Sequence, residues 1–388
     1  MLEGARVLVL YASVGGGHGS AANAVAAALR ELAPAVAVET ADLLDFTNRA
    51  FRHLYGKAYF QVYAKAPHLL GYLYDRLDKA GEAKGGVAER LRRVVQKANL
   101  KKFDAFLRSG RWDVIVNTHF LPADILAGLK KRGEVRAPQI TVVTDFEAHR
   151  LWVNEPTDFY CVASPEARST LRHVGVSPAR VRVTGIPIAP VFALPFDKRD
   201  LRRNLGFPEG RPLVLQLAGG LGVGPVESVH RALLSIRIPL SVVVVTGTNA
   251  LVAERLRSVP NPSRHAVRVL GFTREMERWM GAADLVISKP GGLTSSECLA
   301  RGVPMAIVHP IPGQESRNSD YLLEAGAAVK INDLSVLTHK LARLLFSPAR
   351  LANLADNARR AARPWAAFEV AEKALELARG RLPVAVPD

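Results

Sequence analysis

Asp284-Leu-Val-Ile-Ser-Lys-Pro-Gly-Gly-Leu-Thr-Ser-Ser-Glu-Cys-Leu-Ala-Arg-Gly302 decides the fold. Asp284 to Ile287 is a short apolar run, the pattern of a buried parallel strand. Cys298 to Gly302 reads as the close of a helix, with Gly302 past its end. Pro290, Gly291 and Gly292 between them predict a tight strand-to-helix turn. Thr294, Ser295 and Ser296 then stand at the helix start, where unpartnered N–H groups and the positive end of the helix dipole favour an anion. Glu297, a turn further on, is a carboxylate able to accept two hydroxyls. That pattern suits a sugar nucleotide, and it equally suits a plain βα turn with capping hydroxyls.

The same grammar recurs along the chain. Val7-Leu-Val-Leu10 is a strand, followed by Ala12-Ser-Val-Gly-Gly-Gly-His-Gly-Ser20 and an Ala-rich helix from about Ala21 to Leu32. This glycine loop lacks the Gly-Lys-Ser/Thr ending of a P-loop, and a His interrupts any dinucleotide fingerprint. Gly16 and Gly17 allow backbone to approach a ligand closely. His18, with a pKa naturally near neutral, suits a general base, or it simply packs in the turn. Strands alternate with helices through Val183, then again from Pro212 to Lys330, which predicts two parallel, doubly wound sheets. The second half has its own glycine loop, Ala218-Gly-Gly-Leu-Gly-Val-Gly224. Gly185 to Pro195, with three prolines, reads as the linker and one hinge. Domains of 1–190 and 191–388 follow, with a last helix able to return to the first.

Length and composition bound the rest. A chain of 388 residues with 48% hydrophobic content supports two cores. Cys161 and Cys298 are too few and too separated for a disulfide framework, which suits a reducing compartment. No apolar run reaches the length of a membrane span. A net charge of +16 predicts anionic partners.

One stretch carries a local excess of positive charge. Phe51, Tyr55, Tyr59 and Tyr63 recur every four residues, one stripe of a helix. Lys84 to Arg111 then carries nine Lys/Arg, Arg92 and Arg93 among them, against Glu89 and Asp104. An aromatic stripe beside a basic amphipathic helix, about 46–111, predicts a surface that lies on an anionic membrane. The plainer reading is a solvated helix pair. Nucleic-acid binding ranks below both, because no module for it is visible.

Ser13-Val-Gly-Gly-Gly-His-Gly19, Thr144-Asp-Phe146, Lys289-Pro-Gly-Gly-Leu-Thr-Ser-Ser-Glu297 and Pro312-Gly-Gln-Glu315 together resemble glycosyltransferase family 28. Within it the chain is most similar to the diacylglycerol glucosyltransferases and monogalactosyldiacylglycerol synthases. The resemblance implies a GT-B fold, two Rossmann-like domains facing a central cleft. It implies diacylglycerol on the N-terminal domain, UDP-glucose or UDP-galactose on the C-terminal one, and inversion at the anomeric carbon. It implies peripheral attachment to the inner face of the cell membrane and no metal or other cofactor. Position by position, Gly219, Gly220 and Gly222 would approach the diphosphate, with Pro290, Gly291, Gly292, Thr294 and Ser295. Phe272 and Thr273 would border the uracil, and Glu297 would bind the ribose. Gln314, Glu315 and Asn318 would hold the sugar. His18 matches the family's base, and Asp145 lies in the acceptor-side motif. His149 and Trp152, together with Tyr55, Tyr59, Tyr63, Arg92 and Arg93, complete the acceptor and membrane side. The segment after Asp145 departs from the plant galactolipid synthases, which points to a bacterial-type enzyme and leaves both hexoses open. A lipid-linked N-acetylglucosaminyltransferase of cell-wall synthesis, a UDP-sugar epimerase and a non-catalytic lipid-binding module are the alternatives.

Overall fold

The computed structural model describes residues 4–13, 15–48, 52, 100–208, 210–220 and 224–380. Tyr55, Tyr59, Tyr63, Arg92, Arg93 and Gly222 lie outside the described residues. The chain divides into one unit of Met1–Pro190 with Pro312–Gln314 and Trp365–Asp388, and another of Val191–Ile311 with Glu315–Pro364.

In the first unit, β1 (Arg6–Tyr11) leads into α1 (Gly17–Leu32) and β2 (Ala37–Asp42). There follow α2 (Lys101–Ser109), β3 (Val114–Asn117), α3 (Phe120–Lys131), β4 (Gln139–Val142), β5 (Phe159–Val162), α4 (Pro165–His173) and β6 (Val181–Val183). The strands pair in parallel in the order β2-β1-β3-β4-β5-β6. Both faces are covered, so β1 is apolar at every interior position. Val7 and Val9 pack with Val25 and Leu29 of α1. Leu8 and Leu10 pack with Phe103, Leu107 and Leu126 on the other side. Of the stretch 46–111 expected to contact a membrane, residues 53–99 lie outside the described residues, and its end from Leu100 packs on the sheet. Leu100, Phe103 and Leu107 are core residues of this unit, because their apolar face meets the sheet.

In the second unit the elements are α5 (Lys198–Asn204), β7 (Leu213–Leu217), α6 (Val226–Leu234), β8 (Ser241–Val245), α7 (Ala250–Arg257), β9 (Ala266–Leu270) and α8 (Met276–Ala282). The run continues with β10 (Leu285–Ser288), α9 (Gly292–Ala300), β11 (Met305–Val308), α10 (Gln314–Glu324), β12 (Ala328–Ile331), α11 (Leu337–Leu345) and α12 (Pro348–Ala361). This sheet is also parallel, ordered β12-β11-β10-β7-β8-β9. The last helix, α13 (Ala366–Arg379), is part of the first unit. Its Ala367, Val370, Ala371 and Ala374 join the core beneath α1 and β3. Small residues let the two helices approach closely.

The second half of the segment read as the linker and one hinge, from Val191 on, is held within the second unit. Arg301, just past the end of α9, donates to the carbonyl oxygens of Leu194 (2.8 Å) and Val191 (2.9 Å). Its guanidinium lies 5.4 Å from the ring of Phe192 and 4.7 Å from that of Phe196. Among the described residues no helix is long and apolar enough to cross a membrane.

Candidate active site

In each sheet one adjacent strand pair marks the point where the chain turns from building one side to building the other. In the first it is β1 and β3, and in the second β7 and β10. The loops beyond the carboxyl ends of such pairs diverge and leave room for a ligand. The first pair carries the His18 loop and Thr118. The second carries the glycine loop after Leu217 and the Lys289-Pro-Gly-Gly292 turn.

His18 was expected inside a loop, but it is the second residue of α1, which begins at Gly17. Gly15 takes the left-handed conformation (φ 82°) that turns the chain, and Gly16 caps the helix without a side chain. Among the described residues, a Cβ at Gly15 or Gly16 would meet nothing within 4 Å. The imidazole points to the end of β3. Its Nδ1 is 2.9 Å from the carbonyl oxygen of Thr118 and 3.0 Å from Oγ1 of Thr144. A carbonyl only accepts, so Nδ1 carries the proton and Nε2 holds a lone pair. Thr118 also donates its hydroxyl to the His18 carbonyl (2.9 Å), while its N–H continues the sheet to Leu10. Burial pushes the His18 pKa down to about 4, against a smaller upward effect of the Thr118 carbonyl. The ring is thus neutral at ordinary pH.

Neighbouring rings enclose it. His119 meets it edge-on at 4.5 Å between centroids, and Trp152 lies 6.2 Å away. His119 is buried, and burial first, then the nearness of His18, holds its pKa well below the usual value. Its Nδ1 accepts from the N–H of Leu121 and so starts α3. His149 and Trp152 were expected to contact acceptor or membrane. Both are buried. His149 instead accepts from the N–H of Leu151, and Trp152 packs edge-to-face on Phe120. Asp145, half-buried, follows Thr144 directly. Among the described residues no carboxylate hydrogen-bonds the His18 ring. Thr118 and His119 carried no signal in one sequence, and Thr144 entered only as part of the Thr144-Asp-Phe146 motif, since their contacts with His18 depend on strand order.

In the second unit, Gly219 is left-handed (φ 73°), and among the described residues a Cβ at Gly219 or Gly220 would meet nothing within 4 Å. The loop is braced from below. The Gly220 carbonyl accepts from the N–H and the hydroxyl of Thr248. Gly247 (φ 63°) lies so close that a Cβ there would stand 2.5 Å from that oxygen. Gly247 was not singled out from the sequence. The turn after β10 forms as expected, except that Gly292 is already helical. No side chain caps α9, so its first-turn N–H groups stay open to an anion. Ser295 is fully buried with its hydroxyl unpartnered among the described residues, and Pro290 is also buried. Thr294 is half-buried.

Glu297 differs from the expected carboxylate. Desolvation, then the charge of Glu277, pushes its pKa up to about 8. Glu315 accepts from the N–H of Ile311 (2.7 Å), and its other oxygen lies against Gly291. Asn318 is buried, and Gln314 half-buried, on the same helix α10. Phe272 presents an exposed ring at the end of β9, two strands from β7. Thr273 uses its hydroxyl to accept from the N–H of Glu275. A concavity lined by Gln216, Gly224, Lys289 and His309 opens at the carboxyl ends of β7, β10 and β11. The Pro290–Gly292 turn, Glu297 and α10 thus lie beyond the carboxyl ends of the central strands of the second sheet, and the neutral His18 ring lies beyond the carboxyl end of β1 in the first.

Residues 18–188 match the monogalactosyldiacylglycerol (MGDG) synthase family model, and residues 225–371 match the glycosyltransferase family 28 C-terminal domain. A processive diacylglycerol beta-glucosyltransferase of Bacillus pumilus (strain SAFR-032) is 30% identical over 269 residues, covering 67% of this chain and 70% of that protein. The chain belongs to glycosyltransferase family 28. It is a UDP-sugar-dependent hexosyltransferase. A second processive diacylglycerol beta-glucosyltransferase, from Bacillus thuringiensis (strain Al Hakam), is 27% identical over 97% of this chain and 95% of its own length. Among solved structures, Acinetobacter baumannii MurG is similar with a TM-score of 0.59 at 18% identity, over 96% of this chain and 99% of that one. That likeness is one of fold, the GT-B arrangement of two Rossmann-like domains.

Proposed function

We propose that this glycosyltransferase moves glucose from UDP-glucose to the free hydroxyl of diacylglycerol, with inversion, while attached peripherally to an anionic membrane face. The observation that carries the reading is the His18 ring, neutral and fixed through Nδ1, with Nε2 unprotonated. The acceptor oxygen attacks the anomeric carbon as Nε2 takes its proton, a step typically worth about 10²–10⁴-fold. The bond from the anomeric carbon to the diphosphate breaks, and UDP leaves with its electron pair. The open amides of the Gly219–Gly220 loop and of the α9 start stabilise the growing charge. Glu297 takes the ribose hydroxyls, and Gln314, Glu315 and Asn318 hold the hexose. Each step uses side chains and amides of the protein alone.

Diacylglycerol as acceptor and glucose as donor sugar are supported by the two Bacillus relatives, both diacylglycerol beta-glucosyltransferases by name. The membrane surface is supported by the net charge of +16. The test is UDP release with diacylglycerol in anionic vesicles, in EDTA, comparing UDP-glucose, UDP-galactose and UDP-N-acetylglucosamine. UDP-glucose is the expected donor. Turnover with UDP-galactose alone replaces the sugar. Turnover only with the N-acetyl donor and a polyprenyl-linked acceptor replaces the whole reading. Vesicle binding without UDP release identifies a lipid-binding module.

A further inference from the structure

The geometry assigns to Thr144 the positioning of His18, a task that a carboxylate at Nδ1 would otherwise perform. This rests on the reading of His18 as the base. An imidazole that accepts a proton at Nε2 must be held in one tautomer and one rotation, and the group at Nδ1 does both. Here Nδ1–H is shared between two neutral oxygens, the Thr118 carbonyl at 2.9 Å and the Thr144 hydroxyl at 3.0 Å. The opposite tautomer would set a bare nitrogen against the Thr118 carbonyl oxygen, lone pair against lone pair. Thr144 is buried at the end of β4 and Thr118 at the end of β3, adjacent strands of one sheet. The two oxygens are therefore fixed by backbone rather than by a mobile side chain.

Asp145, the acid beside it in sequence, does not reach the ring. Asp145 is half-buried beside the buried Thr144, and the Nδ1 contacts are those of Thr118 and Thr144. Among the described residues the one titratable group facing the imidazole is His119, itself neutral and buried. When Nε2 takes the acceptor's proton, Nδ1–H does not move, and the new positive charge is met by two oxygen dipoles. No bond changes at Nδ1.

The test compares Thr144→Val, Thr144→Ser, Asp145→Asn and His18→Ala in the vesicle assay, with UDP-glucose binding measured by calorimetry. Thr144→Val is expected to lower kcat about 2–10-fold, the worth of one neutral hydrogen bond, with KM for UDP-glucose unchanged. Thr144→Ser restores kcat. Asp145→Asn leaves the acid limb of the kcat profile in place, whatever it does to acceptor KM. Should Val disturb folding, seen as a lowered melting temperature, Thr144→Ala is the second variant. Wild-type kcat at Thr144→Val, beside a displaced acid limb in Asp145→Asn, would overturn the proposal in favour of an Asp-supported base. Wild-type turnover in His18→Ala would overturn the base assignment and the positioning role with it. Loss at His18→Ala alone would overturn only the role of Thr144.

Discussion

The Nδ1 of His18 and the main-chain oxygen of Thr118 stand 2.9 Å apart, and this contact joins the helix after β1 to the strand beside it. It leaves Nε2 as the ring nitrogen that carries the lone pair. The His18→Ala variant is expected to lose about 10²–10⁴-fold in kcat while binding UDP-glucose normally. Because burial sets the His18 pKa at about 4, the acid limb of kcat/KM falls near pH 4 rather than near 6.5. A limb centred at 6.5 would show that the ring titrates as if in water.

Gly247 braces the glycine loop of the second unit. It combines φ 63° with a Cβ position 2.5 Å from the Gly220 oxygen and 2.8 Å from that of Gly219. Gly247→Ala is expected to cost about 1–3 kcal/mol in strain and to raise KM for UDP-glucose, because the loop must shift. An unchanged melting temperature and KM would refute both parts.

Glu297, with a pKa raised to about 8, is largely protonated at neutral pH. If its carboxylate accepts the ribose hydroxyls, affinity for UDP-glucose rises from pH 6 to pH 8.5, since more of the enzyme starts ionised. Glu297→Gln removes that slope and weakens binding overall. Calorimetry across the range decides it, and a slope that survives the substitution belongs to another group.

Arg301 ties Val191 and Leu194 to the end of α9 through two hydrogen bonds and two aromatic rings. Lysine cannot reproduce that fork. Arg301→Lys is expected to destabilise by about 1.5–3 kcal/mol, the worth of hydrogen bonds to a charged group, measured by urea unfolding. Equal midpoints would mean that the segment does not depend on Arg301.

Acid should weaken the fold through its buried histidines. His18 and His230 both have pKa values lowered to about 4, chiefly by burial, and that of His119 is lowered too. Each binds its proton more readily when unfolded, at about 6.5. The stability they permit is present above pH 6.5 and is lost as pH falls from there towards 4. The melting temperature should decline over that window, less steeply in His230→Leu, whose Nδ1 has no hydrogen-bond partner to lose. A flat profile between pH 7 and 5 would contradict this.

The sequence by itself determined the alternation of strands and helices, the two glycine loops and the turn at Pro290–Gly292. These are local matters: apolar runs of strand length, glycines where the chain must turn, small polar residues where a helix begins. It also singled out His18, Glu297 and Glu315, because their side-chain chemistry stands next to such turns. Strand order was not local. Only the tertiary structure put β1, β3 and β4 side by side and β8 beside β7, and so made Thr118 and Thr144 the partners of His18 and Gly247 the support of Gly220. The same packing turned His149 and Trp152 inward and raised the pKa of Glu297. Burial and hydrogen-bond partners belong to contacts between distant residues, such as His18 with Thr144, and no spacing along one chain records them.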